Sequence, residues 1–383
     1  MSEQRTYKRL KQVLFFGIIG ALFMPMVQHK FRFTAEKPLI GSYVLSEKPK
    51  ITLENWFSGK YQQAQDTYIT EHAGYRPGWV RLYNQWNYSL FNETNASGVI
   101  VGKENYLYEE GYIKAYYGID FIGDEKIKQI TQQLKFVQDT LKKKGIDFVV
   151  VFAPGKGSYY PEYIPDYYKH VGIGKTNYEA FNNCFKQQAI NYIDMHSWFK
   201  SMKKTTKYPL FSKTGIHWSA YGQYFAVDSL TKYISSIRNY QIPYFVLDTI
   251  VESTKPILGD DDIGLGMNLF FQIPDIKLAY PKFHTNRKPK KDDPKILVIG
   301  DSFYWSLFNS HVSADLFNNG EFWYYNEQVY SASYSKEVLV KNQNLKQKLL
   351  ENQVVVLLLT DSNLHRFGFG FVEQAYNSYS KKK

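Results

Sequence analysis

Two segments that lie far apart in the chain carry side chains able to act together as a nucleophile and a base. The first, residues 295–307, reads K-I-L-V-I-G-D-S-F-Y-W-S-L. Its apolar run, closed by Gly300, is typical of a parallel strand buried on both faces. Ser302 would then lie at the end of a strand and just before a helix, where backbone N–H groups can stabilise an oxyanion. The same residues also fit an ordinary turn in which Asp301 or Ser302 caps a helix.

The second segment, residues 212–222, reads S-K-T-G-I-H-W-S-A-Y-G. His217 stands two residues before Ser219, a good N-cap residue, and aromatic and apolar residues follow at helical spacing. A lone histidine in such a place is more often structural than functional. Together with a serine at a strand end, however, it predicts a Ser302–His217 dyad in which the imidazole takes the hydroxyl proton.

Other short motifs in the chain help to interpret this pair of residues. In chain order they are W-F-S-G-K-Y at Trp56–Tyr61, G-Y-R-P at Gly74–Pro77, V-I-V-G-K at Val99–Lys103 and V-V-V-F-A-P-G-K-G-S-Y-Y-P-E at Val149–Glu162. With the histidine and serine segments they resemble the SGNH-hydrolase-like O-acetyltransferases of exopolysaccharide systems, the AlgJ/AlgX type of alginate acetylation. The resemblance covers about Ile51 to the end of the chain. Ordinary SGNH hydrolases place the serine segment first, whereas here it follows the histidine, as in this permuted branch.

The resemblance implies both a fold and an activity. The fold would be a three-layer α/β/α domain with a central parallel sheet. The activity would be acetyl transfer to hydroxyls of an exported or cell-surface polysaccharide, through an acetyl-serine formed on Ser302. A membrane-bound partner of the MBOAT class would supply the acetyl group. Two other functions suit the same fold, namely a carbohydrate acetyl esterase and a non-catalytic glycan-binding or assembly protein.

One position departs from the pattern of the family, which usually has an aspartate two residues before the histidine. This chain has Gly215 there, so the acid that should orient the imidazole and stabilise its cation is missing. Another carboxylate could replace it, a backbone carbonyl could serve instead, or the protein could have weak or no catalysis. The candidates for a third member, or for support of the oxyanion, are Asp194, Asp301, Asp361 and Asn363.

The remaining site predictions concern ligands. Lys156 lies on a glycine-rich loop at the same predicted sheet edge as Ser302, where it could meet an anionic substrate. Trp218 and Tyr304 are the other residues predicted to bind substrate. The glycine-rich loop lacks the spacing of a P-loop, and the triplet Asp260–Asp262 lacks the pattern of an EF-hand. We therefore predict no metal and no cofactor.

Composition limits the class of protein. The 383 residues are 44% hydrophobic and 17% aromatic, which suffices for one large packed domain with additions. The single cysteine, Cys184, excludes an intramolecular disulfide framework. The net charge of +11 is not accompanied by zinc-finger spacing or an RNA-binding aromatic motif, so nucleic acid is not a predicted partner. A basic surface suits an anionic polysaccharide or membrane head groups.

The N-terminus has the pattern of a membrane segment. Basic residues within 1–12 precede an uninterrupted apolar run at Val13–Val27, and no small-x-small cleavage site follows. The run is short for a span, which needs about 20 residues, but flanking residues and snorkelling lysines could extend it. We expect a cytoplasmic tail at 1–12, an uncleaved inner-membrane anchor at 13–28, and a periplasmic or otherwise extracytoplasmic remainder.

The rest of the chain divides at about residue 97. Residues 29–97 are predicted to form a juxtamembrane and helical region. Residues 98–383 are predicted to form the acyltransferase domain, because strand patterns alternate there with helix patterns as in a parallel sheet. A segment rich in glycine, proline and charged residues at about 241–294 interrupts this alternation and predicts a lid-like insertion.

Overall fold

The computed structural model describes residues 2–41 and 44–380. The chain forms two compact units, one made of Met1–Ser97 with Gly264–Gln272 and the other of Gly98–Ile263 with Ile273–Lys383. Residues 42 and 43 of the predicted 29–97 region, and residues 381–383 of the predicted 98–383 domain, lie outside the described residues.

The first unit is helical. Its helices are α1 (Ser2–Phe31), α2 (Leu53–Phe57), α3 (Lys60–His72) and α4 (Arg76–Phe91). α1 contains the predicted anchor segment, and its stretch Thr6–Phe31 is long and apolar enough to cross a membrane. The apolar side chains of this stretch are exposed along almost its whole length. α1 could therefore serve as a single anchor.

The helical region is interrupted where its apolar pattern predicts one helix over Leu53–Ile69. Thr52 caps α2 by accepting a hydrogen bond from the Asn55 N–H, but the helix ends at Ser58. Gly59 then adopts a left-handed conformation with φ of 78°, which an α-helix does not contain. The amphipathic window therefore contains two helices, because the glycine turns the chain between α2 and α3.

The apolar face of α4 also differs from its prediction. The helical spacing of its large side chains predicts a core face, yet these side chains are exposed and the buried residue is Asn84. The Asn84 amide donates to the Met267 carbonyl at 2.9 Å and its oxygen accepts from Asn95 at 3.0 Å. The helix is therefore held by polar contacts on its inner face. The exposed apolar side chains are Trp79, Leu82, Tyr83 and Trp86.

From residue 98 onward, strands alternate with helices. The strands are β1 (Val99–Val101), β2 (Leu107–Glu109), β3 (Asp147–Ala153), β4 (Tyr192–Asp194), β5 (Phe245–Ser253), β6 (Leu278–Thr285), β7 (Ile296–Gly300), β8 (Glu321–Tyr324), β9 (Gln328–Tyr330), β10 (Val338–Leu339) and β11 (Val354–Thr360). The helices are α5 (Glu110–Tyr117), α6 (Asp124–Lys142), α7 (Lys156–Tyr159), α8 (Asn177–Gln188), α9 (Met195–Met202), α10 (Ala220–Arg238), α11 (Asp262–Gly266), α12 (Phe303–Asn309), α13 (Leu345–Leu350) and α14 (Phe371–Ser380).

Seven of these strands form one sheet in the order β10-β9-β8-β7-β11-β3-β4. The five strands from β8 to β4 run parallel, as predicted for the centre of the sheet. The edge strands β9 and β10 are antiparallel, because Tyr325 and Asn326 turn the chain through left-handed conformations with φ of 49° and 56°. The sheet is therefore mixed. The apolar pattern over Lys336–Leu350 predicts a helix, but Val338–Leu339 form β10 and α13 begins only at Leu345.

Helices cover both faces of this sheet, in agreement with a three-layer α/β/α architecture. Alternate residues of the central strands β3, β7 and β11 face α6, α8 and α14 and form one continuous hydrophobic core with them. The intervening residues of the same strands are equally buried on the opposite face, where α9, α10 and α12 contact the sheet. Because both faces are covered, the central strands consist of uninterrupted apolar runs.

The predicted insertion at 241–294 contains the antiparallel hairpin formed by β5 and β6. The segment that leads from this hairpin back to the sheet is stabilised by Asp293. Asp293 is buried and accepts two hydrogen bonds from Arg287 at 2.6 and 2.7 Å. The Arg287 guanidinium holds the pKa of Asp293 at about 2. A bidentate pair of this kind stabilises the fold only while the carboxylate is ionised.

This pair predicts an acid-sensitive contribution to stability. Asp293→Asn should lower the free energy of unfolding by about 2 kcal/mol at pH 7, since the carboxylate pKa is depressed in the folded chain. The difference in the free energy of unfolding between wild type and variant should have its full size above about pH 4. It should disappear as the pH falls towards about 2. Urea unfolding followed by circular dichroism measures it, with the exposed neighbour in Asp292→Asn as control. An equal loss at all pH values would contradict the assigned cause.

Candidate active site

Ser302 lies on a turn that is held by hydrogen bonds to the side chain of Asp301. β7 ends at Gly300 and α12 begins at Phe303, so Ser302 stands between a strand and a helix as predicted. The Asp301 carboxylate is fully buried. One oxygen accepts from the Phe303 N–H at 3.1 Å, and the other accepts from the backbone and hydroxyl of Thr360 at 2.7 and 2.8 Å. The turn is therefore tied to the end of β11.

His217 is presented by a loop that runs from Phe211 to Trp218 between α9 and α10. The two ends of the loop are joined by an antiparallel bridge between Phe211 and Trp218. Ser219 caps α10 by accepting from the Gly222 N–H at 3.1 Å, as predicted. Asp275 accepts from the N–H groups of Lys213 and Thr214, both at 2.9 Å. The loop is thus held at its ends and at its centre.

These two segments bring Ser302 and His217 into contact. The Ser302 hydroxyl lies 2.9 Å from Nε2 of His217, and Nδ1 of the same ring lies 2.7 Å from the carboxylate of Asp262. Since a carboxylate only accepts hydrogen bonds, these partners place the ring proton on Nδ1 and leave Nε2 free to accept from the serine. The arrangement is that of a serine, a base and an orienting acid.

Asp262 replaces the acid that is missing at Gly215. A Cβ atom built on Gly215 would lie 2.5 Å from the Asp260 carbonyl oxygen and 2.6 Å from the Ser212 hydroxyl. Only glycine permits so close an approach, so the segment 260–262 occupies the space that a side chain at 215 would need. The other Asp262 oxygen accepts from the Ile216 N–H at 2.9 Å. The acid thus enters the site from the insertion and bonds the same loop that carries the histidine.

Charge and burial act in opposite directions on this pair. Burial lowers the pKa of His217, but the hydrogen bond and the charge of Asp262 outweigh it, and the pKa is raised. Burial likewise raises the pKa of Asp262, and the contact with His217 more than offsets this, so that pKa is lowered. Burial raises the pKa of the neighbouring Asp260 to about 7. The site therefore holds one firmly ionised carboxylate beside the imidazole.

Lys156 is buried beneath the histidine loop. Its ammonium donates to the carbonyl oxygens of Lys213 and Gly215 at 2.7 and 2.6 Å. Burial lowers the pKa of this amine to about 7, although the charges of Asp275 and Asp262 oppose the shift. Its role is to position the loop, because a fully buried amine that bonds two backbone carbonyls does not reach a ligand in solvent.

None of the four residues predicted as a third member bonds the imidazole in the described chain. Asp194 caps α9 and accepts from the Tyr178 hydroxyl, and Asp361 accepts from the Ser158 hydroxyl at 2.5 Å. Asp301 fixes the serine turn, and the Asn363 amide donates to Asp301 at 2.9 Å. The carboxylate that bonds the imidazole is that of Asp262, which we did not predict, whereas Asp301 and Asn363 bond each other beside the serine turn. The signal in the sequence was the acidic triplet in the insertion, which we weighed only as a calcium ligand.

The three residues predicted to bind substrate are all buried, and their role in substrate binding stays a prediction. Lys156 bonds the histidine loop as described above. Trp218 donates from its indole nitrogen to the Ser306 hydroxyl at 2.7 Å and packs edge-on against Phe303. The hydroxyl of Tyr304 bonds that of Ser313 at 2.8 Å. Trp218 and Tyr304 therefore join the histidine loop and the serine helix to their surroundings.

Sequence reasoning also missed two residues beside the serine, Tyr325 and Arg366. Burial and the charge of Asp301 raise the pKa of Tyr325, and a hydrogen bond with Ser302 partly offsets the rise. The Arg366 guanidinium lies 4.6 Å from the centroid of the Tyr325 ring and donates to the Asn363 amide oxygen at 2.9 Å. Tyr325 is brought to the site by the antiparallel hairpin, which the apolar pattern did not indicate.

Comparison with known proteins relates this chain to acetyltransferases of the alginate type. Residues 99–244 match the family model described as SGNH hydrolase-like domain, acetyltransferase AlgX. Two curated relatives are described as probable alginate O-acetylase AlgJ. The protein from Pseudomonas syringae pv. tomato is 25% identical over 173 residues, 45% of this chain and 42% of the relative. The protein from Pseudomonas putida is 23% identical over 205 residues, 53% of this chain and 51% of the relative.

The predicted resemblance to the AlgJ/AlgX type is confirmed by these matches, and so is the SGNH-like α/β fold class. The chain aligns with only about half of the length of the curated relatives. Solved structures that are similar include the O-acetyltransferase domain of Pseudomonas putida AlgJ, with a TM-score of 0.45 at 19% identity over 73% of this chain and 99% of that chain. Bacillus cereus PatB1 has a TM-score of 0.44 at 13% identity over 71% and 99%.

The contact between Asp262 and His217 predicts a shift in the titration of the imidazole. Asp262→Asn removes the charge and the hydrogen bond that favour the protonated ring, so the pKa of His217 should fall. Nuclear magnetic resonance of the histidine ring protons measures this, with His217→Ala to assign the signal. Asp261→Asn is the matched control and should leave the titration almost unchanged. An unchanged pKa in Asp262→Asn would show that Asp262 does not bond the ring in solution.

The lowered pKa of Lys156 predicts that the free energy of unfolding rises with pH. Its pKa is about 7 in the folded chain and ordinary in the unfolded chain, so the unfolded state binds more protons above neutrality. The free energy of unfolding should therefore increase between about pH 7 and pH 9, and Lys156→Met should remove most of that increase. Urea unfolding at both pH values tests this, with the exposed Lys232→Met as control. A variant that keeps the full increase would contradict the assignment to Lys156.

Proposed function

We propose that this protein is an O-acetyltransferase that acetylates hydroxyl groups of an exported or cell-surface polysaccharide. The observation that carries the proposal is the connected chain Ser302–His217–Asp262, with contacts of 2.9 and 2.7 Å. The match of residues 99–244 to an acetyltransferase family model supports it further. The reason to consider a non-catalytic scaffold was the absent acid at Gly215, and Asp262 removes that reason.

The reaction proceeds in two halves on the serine. In the first, His217 accepts the Ser302 proton through Nε2 while the hydroxyl oxygen attacks the acetyl carbonyl of a donor. The tetrahedral intermediate collapses, the imidazolium returns the proton to the leaving group, and acetyl-Ser302 remains. In the second half, His217 deprotonates a sugar hydroxyl, which attacks the acetyl-serine and regenerates Ser302. Asp262 keeps the ring oriented and stabilises the imidazolium in both halves.

The oxyanion formed in each half needs donors close to Ser302. The backbone N–H of Ser302 lies at the beginning of α12, where helical N–H groups point outward. The hydroxyl of Tyr325, whose pKa is influenced by the neighbouring Ser302, is a candidate for a second donor. Preorganised donors of this type are typically worth about 3–4 kcal/mol each in the transition state.

We further propose that the protein is held at the inner membrane by α1, with its catalytic residues on the extracytoplasmic side. A membrane-bound partner of the MBOAT class would deliver the acetyl group there. The support for this supply route is α1, whose stretch Thr6–Phe31 could span a bilayer. The basic net charge of +11 suits an anionic polysaccharide as the acceptor.

The experiment that tests the activity uses the full chain in detergent, a chromogenic acetyl ester and an oligosaccharide acceptor. We expect acetylated oligosaccharide and, in the absence of acceptor, a covalent acetyl group on Ser302 detectable by peptide mass spectrometry. Ser302→Ala and His217→Ala should each lower turnover by at least about a thousandfold. Ser378→Ala and His365→Ala, on exposed residues, are the matched controls.

The other outcomes separate the competing functions. Free acetate without acetylated sugar, at rates that depend on Ser302, would indicate an esterase and overturn the transferase proposal. Full activity in either Ser302→Ala or His217→Ala would overturn the mechanism. Absence of turnover together with retained binding of oligosaccharide would indicate a glycan-binding protein.

A further inference from the structure

Helix α4 carries an apolar stripe that faces away from its own unit. The stripe is made of residues that recur at intervals of three and four, and each is between 46% and 63% exposed. On the opposite face, Asn84 is buried. This is the reverse of the usual pattern, in which a surface helix turns its apolar side inward and its polar side to water. The members of the stripe are Trp79, Leu82, Tyr83, Trp86 and Leu90.

The beginning of α4 is fixed against the end of α1. The corner between α3 and α4 contacts α1 at three points, all within the first unit. The Gly74 N–H donates to the Pro25 carbonyl at 3.1 Å, and Nδ1 of His29 lies 2.7 Å from the His72 carbonyl oxygen. A Cβ atom on Gly74 would lie 2.6 Å from the Cβ atom of Gln28, so glycine is required for this contact.

This attachment lies at the level where the apolar run of α1 ends. The run covers Val13–Val27, and the polar residues Gln28, His29 and Lys30 follow. If α1 spans the membrane, Pro25–His29 lies at the boundary between hydrocarbon and head groups. The aromatic stripe therefore begins at that boundary and extends about 16 Å along α4, from the helical rise between Trp79 and Leu90.

The chemistry of the stripe suits that boundary. Tryptophan and tyrosine are enriched at membrane interfaces because their rings are apolar and their N–H and O–H groups remain in contact with water. The exposed rings of Phe31 and Phe33 stack beside the end of α1, with 5.5 Å between centroids. Lys30, Arg32 and Lys37 are exposed in the same segment and can contact anionic head groups.

We propose that α4 lies in the membrane–water interface next to the end of α1, with its aromatic stripe in contact with lipid. The inference rests on α1 being the membrane anchor and is independent of the proposed acetyl transfer. The first unit is then attached to the bilayer at two places, the spanning helix and the interfacial helix. Attachment at two places restricts rotation of the unit about the axis of α1.

The test measures the surroundings of single side chains in the full chain reconstituted in nanodiscs of phosphatidylcholine and phosphatidylglycerol. In a Cys184→Ser background, spin labels are attached to Trp79→Cys, Tyr83→Cys or Trp86→Cys, and collisions with oxygen and with a water-soluble nickel chelate are compared. A label on Leu14→Cys in α1 serves as the reference for lipid. A label on the exposed polar residue Thr67 of α3, as Thr67→Cys, serves as the reference for water.

We expect the three stripe labels to favour oxygen over the nickel chelate, as the α1 label does, and the label at residue 67 to favour the chelate. Stripe labels that favour the chelate would place the stripe in water and overturn the proposal. Stripe labels that neither reagent reaches would show that protein, such as a second copy of this chain, covers the stripe, and would also overturn it. An α1 label that favours the chelate would show that α1 does not lie in lipid, and this would overturn the proposal. Circular dichroism of each labelled variant verifies that the helices are intact.

Discussion

The candidate site depends on one close approach, that of the segment 260–262 to Gly215. Because position 215 has no side chain, the Asp260 carbonyl can lie where a Cβ atom would otherwise stand. That approach brings Asp262 to 2.7 Å from the imidazole and lets its second oxygen accept from the Ile216 N–H. The acid is therefore supplied by the insertion and not by the loop that carries His217.

Around this contact, buried or half-buried ionisable groups hold the backbone of the two loops that meet at the site. Asp301 binds the serine turn to β11 from within the sheet edge. Asp275 binds the N–H groups of the histidine loop, and Lys156 binds its carbonyl groups. A charged group that is buried is costly unless its hydrogen bonds are satisfied. Here the backbone satisfies them, and the result is a site whose geometry exists before any ligand binds, as electrostatic catalysis requires.

The helical unit differs from the α/β unit in the distribution of its apolar side chains. In the α/β unit, apolar side chains fill the space on both faces of the sheet. In the helical unit, α1 and the stripe of α4 expose theirs, while Asn84 and Gln28 are buried. Such an inverted distribution is favourable only where the surroundings are themselves apolar. The two units thus differ in where their apolar side chains lie, inside the α/β unit and on the surface of the helical unit.

The amino-acid sequence by itself determined the elements whose pattern is local. The apolar runs of β3, β7 and β11, the capping serine of α10 and the anchor-like run of α1 each follow from periodicity and from capping within a few residues. The pairing of Ser302 with His217 could also be anticipated, because a serine at a strand end and a histidine just before a helix can act as a nucleophile and its base. Only the tertiary structure decided that Asp262 is the acid, that Lys156 and Trp218 are supports, and that the stripe of α4 is exposed. Each of these depends on which distant segment occupies the space beside a residue, and such proximity leaves no periodic signal in the chain.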